Sequence, residues 1–139
     1  MINLKIKGNI EIFEEGKKVF EKDNLVVNGG LEWLYNRMKD NTADYLDYIA
    51  VGTGATVVSG SDTALVTELD RNQATNKTAG VTSFIIETLF ATSEALGSWK
   101  EAGIFTASVA GVMFDRVNID FTKTEKNVTV RFTITCSNS

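Results

Sequence analysis

The stretch Val128-Thr129-Val130-Arg131-Phe132-Thr133-Ile134-Thr135-Cys136 decides the fold class. Apolar and polar residues alternate through it without a slip. A period of two puts Val128, Val130, Phe132, Ile134 and Cys136 on one face of a β-strand and Thr129, Arg131, Thr133 and Thr135 on the other. Cys136, the single cysteine, falls in the apolar phase and is expected as a buried structural thiol. A lone cysteine forms no intrachain disulfide, which fits folding in a reducing compartment. The outer threonine face is polar but low in charge, and suits solvent or an intersubunit contact equally.

The same period recurs upstream. Residues 123–127 read as a turn, preceded by a strand from Val112 to Phe121. Within it Val112 and Phe114 lie in one phase and Val117, Ile119 and Phe121 in the other, so a β-bulge near Asp115-Arg116 is expected. Residues 99–105 and 84–90 read as further strands, and the second has apolar residues in both phases, as in a strand covered on both faces. Residues 45–51 read as a short buried strand, residues 56–62 as a loop, residues 62–69 as a short helix or turn, and residues 71–78 as an edge strand or loop. At the start, Ile2, Leu4 and Ile6, then Ile10 and Ile12, alternate with polar residues around Gly8-Asn9. Glu14-Glu15-Gly16-Lys17 reads as a hairpin turn, with Val19 to Val27 returning.

One helix is expected, at about residues 29–39. Asn28-Gly29-Gly30 breaks the strand and can cap it. Leu31, Leu34, Tyr35 and Met38 follow at i, i+3, i+4 and i+7, a single face that must lie on a sheet to be stable. Trp33 falls on the flank of that face. The sum is a mainly β, single-domain chain (1–139), an antiparallel β-sandwich or partly open barrel with one packed α-helix.

Composition limits function. The chain has 139 residues, no histidine, no proline and a net charge of −4. Phosphate binding needs surplus Lys and Arg, so no nucleic-acid partner is expected. Lys17, Lys18 and Lys22 are interleaved with Glu14, Glu15 and Glu21, a solvated mixed-charge hairpin. The first residues carry charges early and no apolar core segment, so a signal peptide is not expected, and no run approaches the roughly 18 apolar residues of a membrane helix; no membrane partner is expected. Without histidine, Ser and Thr have no imidazole to activate them, and zinc loses its usual ligands.

The remaining motifs favour bland readings. Gly52-Thr53-Gly54 follows a strand, but no third glycine or helix start completes a dinucleotide fingerprint. Asp40, Asp44 and Asp47 lack the spacing and glycine of a calcium loop. Ser98 and Lys100 share a strand face without an oxyanion hole, and Glu87 with Glu101 is a carboxylate pair of the kind any acidic chain holds. No catalytic residue, cofactor or metal site is assigned, and an enzyme is not expected.

Five segments in order carry a resemblance. They are Asn24-Leu25-Val26-Val27-Asn28-Gly29-Gly30-Leu31-Glu32-Trp33-Leu34, Tyr48-Ile49-Ala50-Val51-Gly52-Thr53-Gly54, Ser61-Asp62-Thr63-Ala64-Leu65 with Glu68-Leu69-Asp70-Arg71, Lys100-Glu101-Ala102-Gly103-Ile104-Phe105, and Met113-Phe114-Asp115-Arg116. Together they resemble small phage virion structural proteins of the tail-fibre or baseplate-associated type, over about residues 24–136. The resemblance implies a virion part, synthesised in a host bacterial cytoplasm, whose partners are other virion proteins and copies of itself, as a homo-oligomer or bound to a lattice. A capsid (head) decoration protein is the alternative. A host-glycan-binding module is a further one, with Trp99, Tyr45 and Tyr48 as its aromatic candidates, although all three read better as packing residues. Residues 1–22 lie outside the blocks and are expected as an ordinary edge hairpin or an assembly arm. Gly29, Gly30, Gly52, Gly54 and Gly103 are expected where strands end or bend. Arg71 and Arg116 are expected to pair with Asp62 or Glu101 and pin loops.

Overall fold

The computed structural model describes residues 4–138; Ile2, the first member of the expected alternation, lies outside them. In chain order the elements are β1 (Leu4–Glu14), β2 (Lys17–Val26), α1 (Asn28–Lys39), β3 (Tyr48–Gly52), β4 (Glu68–Gln73), β5 (Asn76–Ala79), β6 (Ser83–Phe90), β7 (Gly97–Phe105), β8 (Met113–Lys123) and β9 (Val128–Asn138). The fold is mainly β, as its alternating runs require. All nine strands form one antiparallel sheet in the order β4-β3-β7-β8-β2-β1-β9-β6-β5, curled into a half-barrel with one short helix.

Curling follows from connectivity. β4 and β5 lie at opposite edges of the sheet, yet only Ala74 and Thr75 separate them in sequence. The sheet must bend until its edges approach. There the buried Thr88 hydroxyl donates to the Gln73 carbonyl at 2.6 Å, and the Asn72 amide donates to the Leu89 carbonyl at 2.9 Å. The expected edge strand at 71–78 is thus split into the two outermost strands.

The first hairpin corrects an expectation. Residues 17–24 of β2 keep an edge, paired with β1 alone, but β1 itself lies inside the sheet and not in a detached arm. β1 pairs with β9 along its whole length, Leu4 opposite Asn138 and Glu14 opposite Val128, and with β2 on its other side. Its Ile10 and Ile12 belong to the main core. Only Leu25 and Val26 of β2 pair with β8, so the two halves of the sheet join at that short seam. The tight turn at Glu15 and Gly16 has positive φ at both residues (48° and 82°), the primed geometry that suits the twist of a two-residue hairpin.

The main core joins Ile10 and Ile12 to Ile49, Val51, Ile86, Phe90, Trp99, Ile104, Val117, Val130 and Phe132. Trp99 is fully buried, with ring centroids 5.3 Å from Phe90 and 5.2 Å from Phe121. The bulge expected near Asp115 is present. Ile104 pairs with Asp115 but Phe105 with Met113, which leaves Phe114 as the extra residue. Phe114, Val117 and Ile119 thereby share the core. Cys136 is half-buried rather than buried.

Helix α1 packs one residue out of its expected phase. Its inward face is Gly30, Trp33, Leu34 and Arg37, and Tyr35 and Met38 point outward, 62% and 72% exposed. Trp33 is the centre of the contact, edge-on to Phe114 at 5.6 Å, with its indole N–H on the Asp44 carbonyl at 2.7 Å. The phase is set by Gly30. A Cβ there would lie 2.1 Å from the Phe114 carbonyl oxygen, so the helix backbone rests directly on β8 at this residue. Asn28 does not cap the helix with its side chain. Val27 occupies the cap position, and the Asn28 N–H donates to the Gly60 carbonyl at 2.7 Å.

Candidate functional site: a buried clamp under two loops

The register places the resembling segments side by side on the outer face of one half-sheet. Arg71, Ala50, Gly103, Arg116 and Leu25 form a row across β4, β3, β7, β8 and β2, and Gly52, Glu101 and Asn118 lie in the next row. Strand pairing puts such residues on one face, with Glu101 and Arg116 as diagonal neighbours. Small residues make the surface shallow. A Cβ at Gly52 would meet the Thr67 carbonyl oxygen at 2.4 Å, and one at Gly54 would meet the Glu101 carboxylate at 2.5 Å. The chain between β3 and β4 can therefore lie flat on the sheet. Gly103 is inside β7, beside the register shift at Ile104 and Phe105. Its missing side chain leaves room for the Asp115 carbonyl oxygen, which a Cβ would meet at 2.6 Å. Gly29 and Gly30 fall in the first turn of α1, and Gly52 and Gly54 at the end of β3.

Glu101 and Arg116 are both fully buried. The Glu101 carboxylate accepts the backbone N–H groups of Gly54 (2.9 Å), Val66 (2.8 Å) and Thr67 (2.8 Å), and the Arg116 Nε at 3.0 Å. Arg116 donates onward to Asp62 at 3.1 Å and to the Thr56 carbonyl at 2.8 Å. Asn118 completes the ring, donating to Thr56 O and accepting from Val58 N, both at 2.9 Å. Both oxygens of the carboxylate have donors, and each nitrogen of the guanidinium has an acceptor. Residues 53–67 are held at both ends and in the middle. Residues 62–69, expected as a short helix or a turn, form bends tied down by this network and enter β4 at Glu68, with the Asp62 side chain accepting from the Ser59 N–H at 2.9 Å.

Arg71 forms a second clamp, with partners other than those expected. It reaches neither Asp62 nor Glu101. It grips Glu68 through Nε (3.1 Å) and Nη2 (2.6 Å), donates from Nη1 to the carbonyls of Ala107 and Ala110 at 2.8 Å each, and lies 3.7 Å above the Phe105 ring. This fixes residues 106–112. Sequence reasoning missed Glu68, Asn118 and Thr56. Glu68, three residues before Arg71, was the one of these with a readable signal.

Asp115 is a third buried charge-bearing group, at the seam between the two half-sheets. It accepts from the Ile104 N–H at 3.1 Å and contacts the Asn24 side-chain amide. Burial pushes its carboxyl well above the usual carboxylate range, with the Ile104 and Asn24 contacts opposing. Asn24 Oδ1 is buried without a partner. A neutral Asp115 carries one O–H, and the Asn24 amide turned over offers its oxygen to that proton.

The other candidates do not converge. Asp40 accepts from Thr42, Asp47 pairs with Lys77 at 2.7 Å, and Asp44 lends its carbonyl to Trp33. Lys100 pairs with Asp120 at 2.6 Å, and Glu87 with Arg131 at 2.8 Å. Lys18 is bound to Glu11 and Glu21. Among the described residues no group of His, Cys, Asp and Glu is placed to hold a metal ion, and no helix is long and apolar enough to cross a membrane. Of the aromatic candidates, Trp99 is core and Tyr48 half-buried. Tyr45, expected as a packing residue, is 66% exposed, with Arg37 5.1 Å from its ring centroid. Comparison with family models, with curated proteins and with solved structures finds no match.

Proposed function

We propose that this chain is a non-enzymatic structural part of a phage particle, carried on its exterior with the tail fibre or baseplate. The observation that supports this most is the use to which the buried charges are put. Glu101 and Arg116 spend their hydrogen bonds on each other and on residues 53–67, and Arg71 spends its own on Glu68 and residues 106–112, so that each charge serves the fold of a loop. Four of the five resembling segments supply Gly54, Asp62, Arg71, Glu101 and Arg116 to these clamps. Their product is a pair of rigid loops on which Val57 and Val109 stand 80% exposed. Apolar side chains on preorganised loops bind a neighbouring protein without an ordering cost. The neighbours in this reading are other virion proteins and further copies of the chain.

Gold-labelled antibody on intact particles tests the reading. Label at the tail end is the expected result. Label over the head moves the protein to capsid decoration, and clean particles without label overturn the virion reading altogether. The glycan alternative now rests on Tyr45, with its ring already engaged by Arg37. Glycan-array binding that disappears in Tyr45→Ala with the fold intact would establish it.

A further inference from the structure

Among the described residues, Tyr35 and Met38 on the outward side of α1 are left exposed, and Leu31 beside them is half-buried. Leu31, Tyr35 and Met38 recur at i, i+4 and i+7 along that side, and Tyr35 and Met38 are the exposed pair described above. Leu4 and Leu25, 58% and 39% exposed, line a groove with Leu31 and Tyr35, which extends the apolar surface from the helix onto the start of β1 and the end of β2. An amphipathic stripe of this kind is normally covered.

The charges beside the stripe say what covers it. Glu32 and Lys39 are seven residues apart, so they lie on the same flank of the helix, two turns from each other. Both are exposed, and the in-chain contact of Lys39 is a 3.8 Å approach to its neighbour Asp40. When two such helices pack face to face and antiparallel about a two-fold axis near Tyr35, flank meets like flank and the ends are exchanged. Glu32 of each copy then meets Lys39 of the other. A parallel pair carries these two flanks to opposite sides of the interface and brings neither charge to its counterpart. The stripe is thus matched by its own rim charges in the antiparallel orientation alone, the pattern of an isologous contact.

We infer that this chain pairs with a second copy through α1, antiparallel, with Leu31, Tyr35 and Met38 at the centre and two Glu32–Lys39 pairs at the rim. The inference deepens the assembly reading by naming one of its partners. Particle labelling tests that reading and solution mass tests this one, so either can fail alone.

The test is sedimentation or light scattering of the full chain at tens of micromolar. The expected mass is twice the 15.2 kDa of one chain. Met38→Glu is expected to give monomer with an unchanged circular dichroism spectrum and the melting curve that the natural chain shows when diluted to monomer, and Val57→Glu on the clamped loop to leave the dimer intact. Glu32→Lys and Lys39→Glu each set two like-charge pairs at the rim and are expected to weaken dimerisation about three- to tenfold. The double variant Glu32→Lys/Lys39→Glu restores it. That recovery separates a specific antiparallel contact from general stickiness. A monomeric natural chain overturns the inference, and so does a dimer indifferent to Met38→Glu or a charge swap without recovery.

Discussion

Glu101 and Arg116 show what a buried pair does when both partners are saturated. Removing either leaves the other charge without its counter-ion in the sheet, at a cost of about 3–5 kcal/mol. Glu101→Gln also replaces an acceptor by an amide N–H₂ that faces backbone donors. Urea unfolding of Glu101→Gln, Arg116→Met and the double variant is expected to show two large single losses and a double loss well below their sum. Additive losses would mean that the two side chains act separately. Asp115 gives the opposite case, a carboxyl kept neutral. Its folded pKa is raised, so between the ordinary range and that raised value the folded chain holds a proton that the unfolded chain releases. Its contribution to stability is full at low pH and falls as pH rises through that window. Asp115→Asn removes the titration. Its stability relative to the natural chain is expected to rise from about pH 4 to pH 7, and a flat difference across that range would place the carboxyl in the ordinary range.

At the level of the element, the two glycines that open α1 look equivalent in sequence and are not. A Cβ at Gly29 meets nothing closer than 3.6 Å, whereas at Gly30 it strikes backbone. Gly29→Ala is expected to be neutral or up to about 1 kcal/mol more stable, through helix propensity. Gly30→Ala must lift the helix from β8, at about 1–3 kcal/mol, and red-shift the emission of Trp33. Equal effects at the two positions would contradict the packing described. This pair also marks the limit of what the sequence conveys. The alternating runs announced their strands because each period-2 pattern is local, and the bulge near Asp115 followed from a phase slip within one strand. The phase of the helix did not follow, because it is set by a backbone contact with Phe114, far away in the chain. The Arg116 clamp was legible as arginine beside acids under glycine-rich loops. The choice of Glu68 for Arg71, and the backbone acceptors at Ala107, Ala110 and Thr56, depended on register that no single segment contains.

At the level of the molecule, the central position of β1 was the least legible feature. An N-terminal hairpin outside the resembling segments reads naturally as an edge, and only the pairing of β1 with β9 shows it to be the middle of the sheet. Amides of Ile10, Ile12, Val130 and Phe132 are therefore expected to exchange with solvent only through global unfolding. Those of β5 and of residues 17–23 on the outer side of the hairpin are expected to exchange through local opening. Hydrogen exchange under native conditions distinguishes these. Rapid exchange along β1 would mean that the hairpin detaches as an arm after all.

The pairing of Leu4 with Asn138 also has a mechanical consequence. The two strands that begin and end the described chain enter the ladder at the same point, so tension between these residues pulls across the hydrogen bonds. Such a load opens them one after another, like a zipper, and never loads the whole row in shear. A sheet built this way resists force poorly through its ends and well through its faces. Any object that relies on it for strength must grip it by its sides.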